Sequence, residues 1–158
     1  MADLTADPDR PADERFTLRV RDDGDRYTVN GSSPGPVLHV TQGGLVEVTL
    51  VNENIEDGAT LHWHGVDVPN ASDGVAGVTQ DAVGPEEQFV YRFVADQVGT
   101  FWYHSHQVSH EQVRHGLLGA LVIAPRAPNE GALDQVALLH EYDAHSTVNG
   151  SATPEVVP

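Results

Sequence analysis

The segment Leu45-Val46-Glu47-Val48-Thr49-Leu50-Val51 places Val46, Val48 and Leu50 on one side of an extended chain. Successive side chains of a β-strand point to opposite faces of the sheet, so this alternation predicts a half-buried strand. Residues 89–94 repeat the pattern, with three aromatic side chains on one side. These two segments predict a chain that is built from strands.

Short segments of the same kind follow one another along the chain, separated by turns rich in Gly, Pro, Asn and Asp. Besides the two above, they are residues 16–20, 27–29, 37–40, 59–64, 100–105 and 120–124. Residues 66–88 are predicted to form a long loop. Seven or eight short strands imply an all-β fold, an antiparallel β-sandwich or Greek-key barrel. One short helix is expected after His106, capped by Ser109 with Gln112 three residues later, and ended by Gly116.

The length of 158 residues suits one domain with a tail. Residues 1–14 are acidic and poor in apolar side chains, so they are predicted to be a flexible lead-in. Residues 15–125 form the predicted domain. Residues 126–158 are predicted to form a linker or tail, or the start of a following domain. Within them, residues 132–148 are predicted to form an extra strand or the opening of that domain.

The charge balance is strongly acidic, with 24 Asp and Glu against 8 basic residues, all Arg, which gives a net charge of −16. Such a surface repels phosphate backbones and anionic membranes and favours cations, so we expect no nucleic-acid partner. No run of 18 apolar residues and no signal peptide is visible, so we expect no membrane segment. The absence of Cys excludes disulfides, thiolate metal sites, cysteine nucleophiles and blue-copper centres within this chain.

Four of the nine histidines occur as two His-x-His pairs, His62-Trp63-His64 and His104-Ser105-His106. Side chains at i and i+2 leave a strand on the same face, so each pair presents two imidazoles together while Trp63 points into the core. If the two strands are neighbours, the four rings form one patch. Clustered imidazoles suit Cu, Zn, Fe or Ni. The spacing of about 6.6 Å between the Cα atoms of a pair lets it serve two metals or chelate one, and zinc hydrolases also use such pairs.

Further motifs accompany these pairs in a fixed order. They are NG at 30–31, PGP at 34–36, HWHG at 62–65, DGV at 73–75, VTQ at 78–80, GTFWYHSH at 99–106 and GLLG at 116–119. With them, the stretch 27–125 resembles the first cupredoxin-like domain of the laccase-like multicopper oxidases.

The resemblance implies a role for each paired histidine. His62 would bind the type 2 copper, His64 and His104 one copper of the type 3 pair, and His106 the other. The resulting trinuclear cluster reduces dioxygen to water, while the full enzyme oxidises phenols, related aromatics or metal ions. Asp73, eleven residues after His62, would orient water at the cluster and help to deliver protons. The alternative for Asp73 is an ordinary turn residue before a glycine.

The remaining histidines lack this pairing. His110 and His115 are interpreted as surface groups or neighbours of the site, and three others as structural or exposed: His39, His140 and His145.

The family takes electrons at a type 1 copper bound by a Cys, which this chain lacks, and its only Met is Met1. The family also takes half of its cluster ligands from a further cupredoxin domain. The chain is therefore expected to work as part of a longer oxidase, or to pair with a second copy of itself about the histidine patch, and to show little turnover alone. A non-enzymatic copper-binding or storage module and a zinc hydrolase are the alternatives. The family implies an extracellular, periplasmic or cell-surface location.

Overall fold

A computed structural model describes residues 5–127, 135–142 and 145–152. The strands within these ranges are β1 (Glu14–Asp22), β2 (Tyr27–Val29), β3 (Leu38–Thr41), β4 (Leu45–Asn52), β5 (His62–His64), β6 (Gln88–Val94), β7 (Gly99–His104), β8 (Leu118–Ala124), β9 (Leu139–Tyr142), β10 (His145–Val148) and β11 (Ser151–Ala152). The helical elements there are a 3-10 turn (Asn70–Ser72) and one short helix, α1 (Ser109–Gln112). Neither is long or apolar enough to cross a membrane.

Two four-stranded sheets form a sandwich, with strand orders β2-β1-β4-β6 and β3-β8-β7-β5. The all-β sandwich is therefore confirmed. Two of its strand pairs, however, are parallel: β1 with β4, and β3 with β8. The antiparallel pairing expected for the sandwich holds for the other pairs within these two sheets but not for these two, because the chain crosses between the sheets before and after β3.

The core lies between these two sheets. Val46, Val48 and Leu50 of β4 are completely buried, as their alternation predicts. Trp63 of β5 is also buried, and its ring centroid lies 4.8 Å from that of Phe93 on the facing sheet. Apolar burial of this kind stabilises the fold by about 25 cal/mol per Å². It also fixes which face of β5 looks outward.

The predicted strand 59–64 is shorter in the structure, because β5 begins only at His62. The backbone before it is engaged by other partners: the N–H of Leu61 donates to the hydroxyl of Tyr91 at 2.9 Å, and Ala59 pairs in an isolated bridge with Val83. These contacts tie the start of β5 to the loop and strand opposite, and so hold it in place.

The expected helix after His106 exists, but it is a single turn and its predicted cap is wrong. Val108, with φ 46°, precedes the helix, and no side chain caps it. The helix ends at Gln112, before Gly116, which has a positive φ of 105°. A strained residue therefore starts this turn where the sequence indicated a hydroxyl cap.

Both ends of the chain contact the sandwich where the structure describes them. In the lead-in, the N–H of Asp13 donates to the carbonyl of Leu45 at 2.8 Å. Near the other end, β9, β10 and β11 form a small antiparallel sheet. The hydroxyl of Tyr142 lies 2.7 Å from that of Ser33, which joins this sheet to the sandwich. Parts of the predicted lead-in and of 126–158 lie outside the described residues, and the domain division stays a prediction.

Candidate metal centre

The two His-x-His pairs meet because β5 and β7 are antiparallel neighbours. In their register, His62 lies opposite His104 and His64 lies opposite Trp102. Trp63 faces Tyr103 between them, and both of these aromatic side chains are completely buried. The histidines alternate with the buried aromatics, so they project from the outer face of the sheet.

The ring nitrogens of three histidines converge on this face. One ligand nitrogen from each of His62, His64 and His104 lies within 4.8 Å of the others. The ring of His106, which follows the end of β7, adjoins them, with its centroid 5.5 Å from that of His62 and 6.2 Å from that of His104. The structure thus brings together the four rings that the sequence pairs predict; we call them the histidine patch.

The shortest contact in the patch joins Nδ1 of His64 to Nε2 of His104, at 3.2 Å. Metal–nitrogen bonds of about 2.0 Å at a tetrahedral angle would separate two ligand nitrogens by about 3.3 Å. In the metal-free chain the same pair makes a ring-to-ring hydrogen bond. The two nitrogens therefore stand at the separation that a shared ion requires, and this donor set fits a metal that prefers imidazole.

His62 is oriented by Asp73. Its Nδ1–H donates to the backbone carbonyl of Asp73 at 2.7 Å, and a carboxylate oxygen of Asp73 lies 3.3 Å from the same nitrogen. The hydrogen bond places the proton on Nδ1, so Nε2 keeps its lone pair for a ligand bond. Asp73 reaches this position because Gly74 packs directly against the backbone of Leu61, leaving no room for a Cβ.

His104 is the most enclosed ring of the patch, with 7% of its surface exposed. Its Nδ1–H donates to the carbonyl of Ser105 at 2.8 Å, so the lone pair of the ring lies on Nε2. There it accepts the hydrogen bond from Nδ1 of His64, and it is the atom that would bind an ion in place of that proton. Burial, followed by the proximity of the other three imidazoles, lowers the pKa of His104 to about 4, although its hydrogen bond to Ser105 opposes the shift. The ring is therefore neutral at pH 7, the state that metal ligation requires.

The patch is closed on one side and open on the other. The indole of Trp102 stacks on His104, with ring centroids 4.0 Å apart, and lies 4.9 Å from His64. His64 and His106 are exposed to solvent. Ligands from another polypeptide could therefore reach an ion bound at the patch from the open side.

The other histidines lie outside the convergent group in the part of the chain that the structure describes. His39, His110 and His145 are exposed. His115 lies beside Tyr27, with ring centroids 6.5 Å apart. The Nε2–H of His140 donates to the carbonyl of Arg114 at 3.0 Å.

Sequence reasoning overlooked the role of Gln112, which the structure places against Ser105. Gln112 is buried and hydrogen-bonded to Ser105, the residue between two histidines of the patch. Its position in the sequence suggested only a helix cap, and no local pattern signals this contact.

Known proteins resemble the chain in both sequence and structure. The sequence profile of the family described as multicopper oxidase matches residues 15–128. Copper resistance protein A of Escherichia coli is 38% identical over 117 residues, which cover 73% of this chain and 19% of that protein. Laccase 1 of Metarhizium acridum is 41% identical over 113 residues, which cover 70% of this chain and 18% of that protein. The chain therefore spans about a fifth of the length of these relatives.

Among solved structures, a blue copper oxidase from Nitrosomonas europaea superimposes with a TM-score of 0.79 and 29% identity. The superposition covers 92% of this chain and 56% of that one. The predicted cupredoxin-like sandwich is therefore confirmed by structure as well as by sequence.

Proposed function

The chain belongs to the multicopper oxidases, and on that premise we propose that its histidine patch supplies half of the ligands of a trinuclear copper centre. In this proposal His62 binds the type 2 copper, His64 and His104 share one type 3 copper, and His106 binds the other. Bound there, the coppers supply the four-electron reduction of dioxygen to water. The domain's own task is to hold imidazoles in the geometry that this chemistry needs.

The observation that carries the proposal is the 3.2 Å approach of His64 Nδ1 to His104 Nε2. The two nitrogens are hydrogen-bonded to each other in this structure, and their separation is also the one that two ligands of a single ion would have. The tautomers of His62 and His104, fixed by backbone carbonyls, support the same role because each places the lone pair of its ring on Nε2.

Asp73 is proposed as the catalytic residue of this domain. Its carbonyl orients His62, and its carboxylate side chain is 34% exposed to solvent. Four protons must reach each dioxygen molecule, and a carboxylate in contact with both solvent and a metal-bound imidazole can accept and release them. The side chain would thus move protons while the backbone of the same residue holds the ligand.

The complete oxidase needs parts beyond this chain. A type 1 copper requires a cysteine, which the chain lacks. We propose that a further cupredoxin domain supplies both the electron-accepting site and the other cluster histidines, and covers the exposed rings of His64 and His106. We further propose phenols, related aromatics or metal ions as the reducing substrates of the whole enzyme, and a secreted, periplasmic or cell-surface location.

Copper titration of this chain, followed by electron paramagnetic resonance and metal analysis, tests the proposal. We expect the wild-type chain to bind nitrogen-ligated Cu(II), and we expect His64→Ala and His104→Ala to bind copper much more weakly. His39→Ala is the matched control, because His39 is an exposed histidine on β3 of the same sheet. A wild-type chain without nitrogen-ligated copper, or a His39→Ala chain that loses as much copper as His64→Ala, would refute it.

The exposure of His64 and His106 also favours a second candidate, a non-enzymatic copper-binding module that self-associates about the patch. Two copies meeting about a twofold axis would place both histidine sets around shared ions, and such isologous contacts are the commonest oligomer geometry. Equilibrium sedimentation with and without copper separates the candidates. A copper-dependent dimer supports self-association, and a monomer under both conditions removes this candidate.

A further inference from the structure

The peptide that carries two ligands of the histidine patch is fixed by a buried polar network. Ser105 lies between His104 and His106 in the sequence and is completely buried. Its hydroxyl donates to Oε1 of Gln112 at 2.5 Å, and its N–H donates to the carbonyl of Leu117 at 3.2 Å. The residue between the two ligands is thus held through both its side chain and its backbone.

Gln112 also reaches the strand that carries the other pair of histidines. Its Nε2–H donates to the carbonyl of Gly58 at 2.9 Å, in the segment that leads into β5. Two residues further on, the hydroxyl oxygen of Thr60 accepts the N–H of His106 at 3.2 Å. Gln112 therefore connects the segment before His62 with the segment 104–106.

The side chain of Gln112 is 1% exposed, and both ends of its amide are used. A buried amide that loses a partner leaves polar groups unsatisfied, which is costly in the low-dielectric interior. The single turn of α1 is too short to be stable by itself. The backbone of Gln112 is held in addition, because its carbonyl accepts the N–H of Leu117 at 2.8 Å.

The rings of the patch differ in how they are held, and this difference identifies what Gln112 controls. His62 and His104 are oriented through ring Nδ1 by backbone carbonyls. The carbonyl that holds His104 is that of Ser105 itself. His106 is held through its backbone by Thr60. A shift at Ser105 would therefore move the acceptor for one ring and the Cα of the other.

We propose that Gln112 is a positioning residue of the copper centre: by fixing Ser105 against Gly58, it sets the directions of the His104 and His106 rings. The expected effect on copper binding rests on the proposed function. The effect on the ring directions does not, because it can be measured without metal. The role belongs to the side-chain amide, whose two hydrogen bonds join Ser105 to Gly58.

The test compares Gln112→Met, which keeps length and apolar volume but removes both hydrogen bonds, with Gln112→Glu, which keeps an acceptor for Ser105. In the metal-free state, imidazole nitrogen and proton resonances report ring orientation and tautomer. We expect those of His104 and His106 to shift in Gln112→Met. Copper affinity should fall about 10- to 100-fold, with partial recovery in Gln112→Glu.

Thr28→Val is the matched control. Thr28 lies on β2 of the other sheet, and its hydroxyl donates to Asp23 in the turn before that strand, so its loss lowers stability without touching the patch. Ser105→Ala should shift the same His104 and His106 resonances as Gln112→Met, and the double variant should show less than the sum of the two effects, because both changes remove the bond between Ser105 and Gln112. Unaltered His104 and His106 resonances in folded Gln112→Met, or equal shifts in Thr28→Val, would overturn the proposal. A wild-type chain that binds no copper would instead refute the proposed function, and the metal-free spectra would still decide the role of Gln112.

Discussion

Gly74 offers the sharpest test of how the patch is built. Its φ is +70°, and a Cβ there would overlap the carbonyl of Leu61, next to His62. Gly74→Ala should force the loop that carries Asp73 away from β5 and break the 2.7 Å bond to His62 Nδ1. Positive φ costs an L-residue about 1 to 2 kcal/mol, and overpacking adds about 1 to 3 kcal/mol. We therefore expect the free energy of unfolding to fall by about 2 to 5 kcal/mol, and the copper affinity to fall about 10- to 100-fold.

Gly77 provides the control within the same loop. Its φ is +74°, but a Cβ there would meet nothing within 4 Å. Gly77→Ala should therefore lose only the backbone contribution of about 1 to 2 kcal/mol and bind copper like the wild type. Urea denaturation measures the first quantity and copper titration the second. Equal losses in both variants would show that the close approach of Gly74 to β5 does not position His62.

Three further outcomes are expected. The pKa of His104 falls from 6.5 to about 4 in the fold, so the unfolded chain binds more protons between these values. The free energy of unfolding should therefore fall by about 1 to 3 kcal/mol as the pH is lowered from about 6.5 to about 4, because the unfolded chain takes up the proton first. Urea denaturation across this range should show a shallower pH dependence in His104→Gln, and an equal slope would contradict the assignment. Tyr103→Phe removes a buried hydroxyl that donates to the carbonyl of Pro36 at 2.8 Å. It should lower the unfolding free energy by about 1 kcal/mol in calorimetry, a reading that an unchanged melting temperature would refute. The copper-loaded chain, having no Cys, should show no intense blue absorption and no phenol turnover; a blue protein would overturn that expectation.

The histidine patch was predictable because it depends on a local rule. Alternation along a strand places His62 with His64 on one face, whatever the rest of the fold does. The same rule places Trp63 in the core, where the structure has it. Only the neighbour relation of β5 and β7 had to be assumed, and their antiparallel register brings His62 opposite His104.

The features that sequence reasoning did not reach depend on distant partners. The parallel pairing of β1 with β4 follows from the path of the chain through β3, which no local pattern encodes. Strand 59–64 is shortened because the hydroxyl of Tyr91, thirty residues away, takes the N–H of Leu61. Ser109 looked like a helix cap, yet the turn is held by Gln112 from inside the core. In each case a side chain or strand far along the chain overrides the local preference.

The division of the histidine patch into a fixed and an open side fits the proposal that this domain supplies half of a metal centre. On the fixed side, His62 and His104 have their tautomers set by carbonyls of Asp73 and Ser105, before any ion binds. On the open side, His64 and His106 face solvent. Imidazoles whose orientation is already fixed lose little conformational freedom when an ion binds. Exposed imidazoles leave the remaining coordination positions of the ion accessible to a second polypeptide. The net charge of −16 attracts the cations themselves. The arrangement therefore suits a centre that is completed by a partner domain better than a closed structural site, which would enclose its ion within one chain.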